Sequence, residues 1–136
     1  MKLKIITQER VVYDGEVDEI YTRGVDGEFG ILKGHQPIMS ALDIGITRVV
    51  IGQDTKKFTT MGGILQFKDE ECLILTTLSE TDEEIDEIRA RQALEKAQRR
   101  LREAGARLDA KRAEAAIARA EARLKAKLSQ YNHHIS

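Results

Sequence analysis

A chain of 136 residues, 41% hydrophobic and 33% charged, has room for one ordinary domain or two small ones, and this composition excludes disorder throughout. Three Tyr, three Phe and no Trp leave too few rings for a base-stacking platform, and the single cysteine, Cys72, excludes an internal disulfide. The net charge of −1 conceals a division: through residue 84 there are 9 Lys and Arg against 16 Asp and Glu, and beyond it 13 against 7. Nine of the ten glycines and the only proline, Pro37, lie in the acidic part, whereas thirteen alanines lie between Ala90 and Ala126. The chain reads as two units, 1–84 and 85–136. Its longest uncharged stretch, 58–67, falls far short of the ~20 residues of a membrane helix, and Glu9-Arg10 interrupts any signal-peptide core. The expectation is a cytosolic or peripheral chain.

In the first unit, short apolar or alternating runs at 3–6, 11–13, 19–22, 46–51, 57–60, 64–67 and 72–75 predict strands. Turn residues separate them at Asp14-Gly15, Asp26-Gly27, Gly52-Gln53-Asp54 and 68–71, the spacing of an antiparallel β-sandwich or barrel. Cys72 sits in an apolar run, where a small buried hydrophobe is the expected role. The glycines between Gly24 and Gly30 have neither the spacing nor the following Lys of a phosphate loop, so they read as positive-φ residues of a turn or bulge.

The second unit opens with Thr81 and Glu84, which predict a capping box, followed by an apolar stripe of Ala90, Leu94, Ala97, Leu101 and Ala104. Gly105 is the expected left-handed stop. Asp109 is the expected cap of a second helix, whose stripe is Ala113, Ile117, Ala120, Leu124 and Leu128. The fold class is therefore α+β: an N-terminal antiparallel β-sandwich followed by a C-terminal antiparallel two-helix hairpin. Between Ile85 and Leu128 only eight large aliphatics, Ile85, Ile88, Leu94, Leu101, Leu108, Ile117, Leu124 and Leu128, are available to hold that hairpin. Stable helices with a weakly determined position are expected.

Helical spacing puts Arg112, Arg119 and Arg123 in one stripe and Ile85, Arg89, Lys96 and Arg100 in another, each opposite its helix's apolar seam. If the seams face each other, the basic stripes should point apart and fail to hold one small anion; if both seams rest on the sheet, the stripes can form a clamp. A solvated helix face is the alternative reading of either stripe. The excess positive charge selects an acidic or phosphorylated partner. His35, His133 and His134 form no Cys/His cluster, so a metal is not implied, and neither Ser40 nor Ser79 has an adjacent His to favour acyl chemistry.

Gly27-Glu28-Phe29-Gly30-Ile31-Leu32-Lys33-Gly34-His35-Gln36-Pro37, followed by Leu42-Asp43-Ile44-Gly45, resembles the N-terminal signature of the epsilon subunit of bacterial F-type ATP synthases. The resemblance extends over essentially the whole chain, with Gly62-Gly63 late in the sheet and a basic Ala-rich hairpin at the end. It implies a non-catalytic central-stalk subunit of a proton-translocating ATP synthase, with gamma, the c-ring, alpha and beta as partners. It also implies a peripheral position on the cytoplasmic face of the bacterial membrane, reached only through the complex, and no nucleic-acid partner. Glu28, Phe29, Gly30 and His35 are assigned by it to the c-ring and gamma interface. The stretch Ile85-Asp86-Glu87-Ile88-Arg89-Ala90 resembles the motif by which some members bind ATP as a regulatory ligand, with or without magnesium. Glu80, Arg119 and Arg123 complete the implied set, and Lys96 stands where the family pattern has an arginine. Arg100, Arg112, Arg119 and Arg123 are the implied inhibitory basic face. The rival is a freestanding adaptor that binds RNA or an acidic protein through the hairpin; a small serine esterase is a third class.

Overall fold

The computed structural model describes the backbone of residues 1–135 and the side chains of residues 1–127. It divides into two compact units, Met1–Thr81 and Asp82–Ser136, so the division falls three residues ahead of the charge boundary.

The first unit is a seven-stranded sheet in the order β2-β1-β7-β6-β5-β3-β4. Its strands are β1 (Lys2–Ile6), β2 (Val11–Glu16), β3 (Glu19–Gly24), β4 (Gly27–Leu32), β5 (Ile38–Ile51), β6 (Asp54–Lys68) and β7 (Glu71–Leu75). All neighbours are antiparallel except β1 and β7. Strands β5 and β6, 14 and 15 residues long, are what make one sheet into two layers. The C-terminal part of β6 carries β7, β1 and β2, and the C-terminal part of β5 carries β3 and β4. The β5–β6 ladder is interrupted at Asp43 and Gly62, between the pairs Leu42–Gly63 and Ile44–Met61. Across that break β6 changes from a run buried on both faces, Phe58 to Met61, to an alternating one in which Leu65 and Phe67 are buried and Ile64 and Gln66 are exposed. Gly62 and Gly63, at φ +75° and +124°, supply the backbone that allows it. Leu3, Ile5, Ile20, Ile31, Val49, Phe58, Leu65, Phe67, Cys72 and Ile74 then meet in one core cluster.

Three expectations change here. Residues 27–32 are a strand and not a turn: Ile31 is fully buried, and Gly30 is required because a Cβ there would lie 2.8 Å from the Tyr21 ring. Asp14-Gly15 lies within β2, and the runs 57–60 and 64–67 are two parts of β6. Buried hydroxyls of Thr22, Thr47 and Thr60 satisfy one another across β3, β5 and β6 at 2.8 and 2.5 Å, so these three polar side chains enter the core paired.

After β7 the chain follows β6 past the break. The Thr59 N–H donates to the Glu80 carbonyl (2.8 Å), the Met61 N–H to Leu78 (3.2 Å), and Thr81 forms a bridge with Phe58. Thr81 thus ends the segment paired with β6 and lies directly ahead of the turn that opens the second unit, so the N-cap of α1 is a later residue.

The second unit begins with a 3-10 turn over Asp82–Glu84. Helix α1 spans Glu87–Glu103 with Asp86 as N-cap, its Oδ1 accepting the Arg89 N–H at 3.1 Å. Asp86 wins over Thr81 because its carboxylate sits three residues ahead of a free N–H on the helix proper. The helix ends in an extended Ala104, whose N–H donates to the Leu101 carbonyl, and Gly105 does not adopt positive φ. Helix α2 spans Arg107–Ile135, so Asp109 lies inside its first turn, where its charge favours the positive end of the helix, rather than at the cap.

Ala90 and Ala97 of α1 and Ala113 and Ala120 of α2 are buried, while Leu94, Leu101 and Ile117 are only half-buried. Ile88 is 72% exposed and Leu108 59%. Leu128 lies outside the described side chains. Ala122, Leu124 and Ala126 of α2 are buried as well, so the helices are paired largely through methyl groups with Leu124 as the one larger buried side chain described on them, and the Lys127 ammonium is bonded to the Asp82 carbonyl at 3.1 Å as a tie to the start of the unit.

Gly63→Ala is expected to lower unfolding free energy by at least ~2 kcal/mol in urea melts, because its Cβ would sit 1.9 Å from the Leu75 carbonyl oxygen on a positive-φ backbone. Gly105→Ala, exposed and with open space around it, should stay within about 0.5 kcal/mol.

Candidate functional site

The eight residues of the expected nucleotide set are divided by the two units. Glu80 belongs to the first, held beside β6 by its own N–H donating to Thr59 Oγ1 at 3.0 Å. The other seven belong to the second. Ile85 precedes α1 and is 4% exposed, as is Ala90 on its first turns; neither presents apolar surface to a ligand. Ile85 is therefore not part of the helical stripe with Arg89, Lys96 and Arg100. Asp86 already uses one carboxylate oxygen as the N-cap. Arg89 and Lys96 are exposed on α1, and Arg119 and Arg123 are half-buried on α2, one turn apart.

A cleft of about 610 Å³ lies between the last turn of α1 and the first turns of α2. It is lined by Arg100 from α1 and by Arg112 and Arg119 from α2, together with Glu103 and Asp109. Three of the four expected inhibitory arginines thus share one space, and of the nucleotide set only Arg119 reaches it. This corrects the expectation that facing seams separate the basic stripes. An alanine seam lets two helices approach closely, so arginines on the flanks of the contact converge at the turn end. No group of three or more His, Cys, Asp or Glu among the described residues is placed to hold a metal ion.

The expected interface residues in the sandwich are held by the edge strand and the loop that follows it. Glu28 is exposed, Phe29 and Gly30 are half-buried on β4 opposite Thr22 and Tyr21, and Tyr21 is stacked under the Arg48 guanidinium at 4.6 Å. His35 lies beyond β4, its ring edge-on to Phe67 with centroids 5.9 Å apart and Nδ1 2.6 Å from the Gln36 carbonyl. The Gly34 N–H donates to Glu70 Oε1 at 2.8 Å, which pins this loop to the β6–β7 turn. Strand register also assembles an outward apolar row that the sequence reading missed: Ala41, Ile64, Leu75, Ile6 and Val11 lie opposite one another across β5, β6, β7, β1 and β2. Ile64, Leu75 and Val11 are each about half exposed. Alternation in Ile64-Leu65-Gln66-Phe67 was the available signal, since Leu65 and Phe67 turned inward leave Ile64 outward.

Burial pushes the Cys72 thiol up to about 12, so it is an inert core residue. Asp18 is held below the usual carboxylate range, chiefly by accepting the Gly52 N–H at 2.6 Å, which fastens the β5–β6 turn. Neither group belongs to a catalytic arrangement.

A β-sandwich scaffold carrying a basic helical hairpin defines a two-part binding and regulatory module. Residues 1–82 match the model of the ATP synthase delta/epsilon chain β-sandwich domain, and residues 83–127 that of the delta/epsilon chain long α-helix domain. The epsilon chain of Carboxydothermus hydrogenoformans is 44% identical over 101 residues, 74% of this chain and 75% of that one. The epsilon chain of Gloeothece citriformis is 39% identical over 104 residues, 76% and 75% of the two chains. A chain of the Euglena gracilis mitochondrial ATP synthase, OSCP/F1/c-ring in rotational state 1, superposes with a TM-score of 0.81 at 27% identity, over 93% of this chain and 79% of its own. One in the Tetrahymena thermophila mitochondrial ATP synthase central stalk and c-ring, at 16% identity and TM-score 0.52 over 61% and 67% of the chains, shares the fold. The chain belongs to the ATP synthase delta/epsilon chain family, as an epsilon-type subunit of the central stalk that is not itself catalytic.

Asp86→Ala should cost about 1 kcal/mol of hairpin stability in thermal melts followed by circular dichroism, whereas Asp86→Asn, which keeps a capping oxygen, should melt within a few tenths of the parent. An equal loss in both would show that the negative charge, and not the cap, is what Asp86 supplies.

Proposed function

We propose that this chain couples proton-driven rotation to ATP synthesis as part of the rotor, and restrains wasteful ATP hydrolysis through a movable hairpin. Family membership supports gamma, the c-ring, alpha and beta as partners, since the Euglena relative comes from an F1 and c-ring assembly. Association with the cytoplasmic face of the membrane then follows from the complex; no helix among the described residues is long and apolar enough to cross a bilayer. The outward apolar row of the sandwich and the edge residues Glu28, Phe29, Gly30 and His35 supply the docking surface for gamma and the ring.

The observation that carries the regulatory part is the alanine seam. Helices paired through Ala90, Ala97, Ala113 and Ala120, with Ile88 and Leu108 left in water, can be repositioned by a ligand with a few kcal/mol of differential affinity. ATP, bound by Glu80, Ile85, Asp86, Arg89, Ala90, Lys96, Arg119 and Arg123, holds the hairpin compact. Loss of ATP releases it toward an acidic segment of the catalytic beta subunits, where Arg100, Arg112, Arg119 and Arg123 oppose rotation in the hydrolysis direction. Because Ile85 and Ala90 are buried in the present arrangement, adenine contact requires local opening at the start of α1.

Calorimetric titration of the chain with ATP tests this. Arg89→Ala and Arg119→Ala should each weaken binding about tenfold or more, since each removes a charge-assisted fork to phosphate. Lys96→Arg should tighten it several-fold. Unchanged affinity in both alanine variants removes the nucleotide site.

A further inference from the structure

The cleft at the turn end of the hairpin is not explained by the nucleotide set, from which it takes only Arg119. Its three arginines come from two helices, and among the described residues none of them forms an ion pair or side-chain hydrogen bond. Glu103 and Asp109 line the same space and still do not pair with them. Arg119 is moreover half-buried. Three guanidinium-bearing side chains lining one cleft with their donors unspent on protein acceptors are an arrangement that an external anion completes.

We propose that this cleft is a phosphoryl-binding site, distinct from the motif at Asp86 and Arg89. A planar guanidinium donates two parallel hydrogen bonds to a phosphoryl group, and convergence of three such forks selects a compact, multiply charged oxyanion over a single carboxylate. The two carboxylates set the other limit. They bring the formal charge of the lining down to +1 and repel an extended polyanion such as a nucleic-acid backbone, while offering acceptors to hydroxyl groups on a small ligand. A volume of about 610 Å³ has room for a diphosphate or a phosphorylated sugar, within the range of roughly 300–1,000 Å³ usual for small-ligand pockets. The phosphoryl group can arrive as a free diphosphate or as the tail of a nucleotide, and the two share the same recognition chemistry.

The experiment is calorimetry on the full chain with inorganic pyrophosphate and, in a second arm, ATP. The parent should bind pyrophosphate, Arg100→Ala and Arg112→Ala should each weaken it about tenfold or more, and Arg89→Ala should weaken it far less than either. Arg112→Lys, which keeps charge but not the fork, should fall between, and it supplies the readout if circular dichroism shows that Arg112→Ala has lost helix. ATP affinity that falls in Arg112→Ala assigns the site to a nucleotide tail; ATP affinity that holds assigns it to a free anion. No pyrophosphate binding by the parent at millimolar concentration, or equal weakening by Arg89→Ala and Arg112→Ala, overturns the proposal. The first result leaves the ATP reading standing, because that reading is judged by Arg89 and Arg119.

Discussion

The buried surface of α1 and α2 is made largely of alanine methyl groups, with Leu124 the one larger buried side chain described on them. Alanine is the strongest helix former, so thirteen alanines between Ala90 and Ala126 keep both helices formed with little help from packing. Each buried methyl adds only about 0.8 kcal/mol of transfer energy, and of the larger side chains described only Ile85 and Leu124 are buried, while Leu94, Leu101 and Ile117 are half-buried and Ile88 and Leu108 lie in water. Helix formation and helix docking are thereby separated energetically. A close seam also brings arginines of the two helices to one cleft at the turn end.

The sandwich is built on the opposite principle. Its core gathers Phe58, Phe67, Leu3, Ile5, Ile20, Ile31, Leu65 and Ile74 at essentially no exposure, and its two long strands tie the layers covalently. The break at Gly62-Gly63 is where rigidity is decided, because Gly63 is fitted against the Leu75 carbonyl with no space for a side chain. Beyond that point the chain follows β6 and delivers Glu80 to Thr59 by hydrogen bonds at both its N–H and its carbonyl. A tightly packed sandwich that presents an outward apolar row is thus joined to a basic element with far fewer large buried side chains.

How much of this could be read from residues alone depended on whether local signals had competitors. Alternating runs at β1, β3 and β7 had none and marked strands directly. Strand β4 was hidden because its glycines read as turn chemistry, which holds for Gly27 at φ +128°, whereas Gly30 is there to clear the Tyr21 ring. At the helix start two cap signals competed, Thr81 with Glu84 and Asp86 ahead of Arg89. The pairing of Thr81 with Phe58, a contact 23 residues distant in sequence, decided it. Helical spacing located every arginine of the cleft but not their convergence, since spacing fixes angles around one helix and says nothing of the closeness of two. The apolar row was equally out of reach, because it exists only through the register of five strands.

Amide hydrogen exchange on the isolated chain, with and without ATP, measures the separation between scaffold and hairpin directly. The seam predicts that amides of α1 and α2 exchange much faster than those of β5 and β6 without nucleotide, and that ATP slows the helices while leaving the sheet unchanged. Helices protected as strongly as the sheet in the absence of ATP, and unaffected by adding it, would contradict a hairpin held by alanine contacts and governed by a nucleotide.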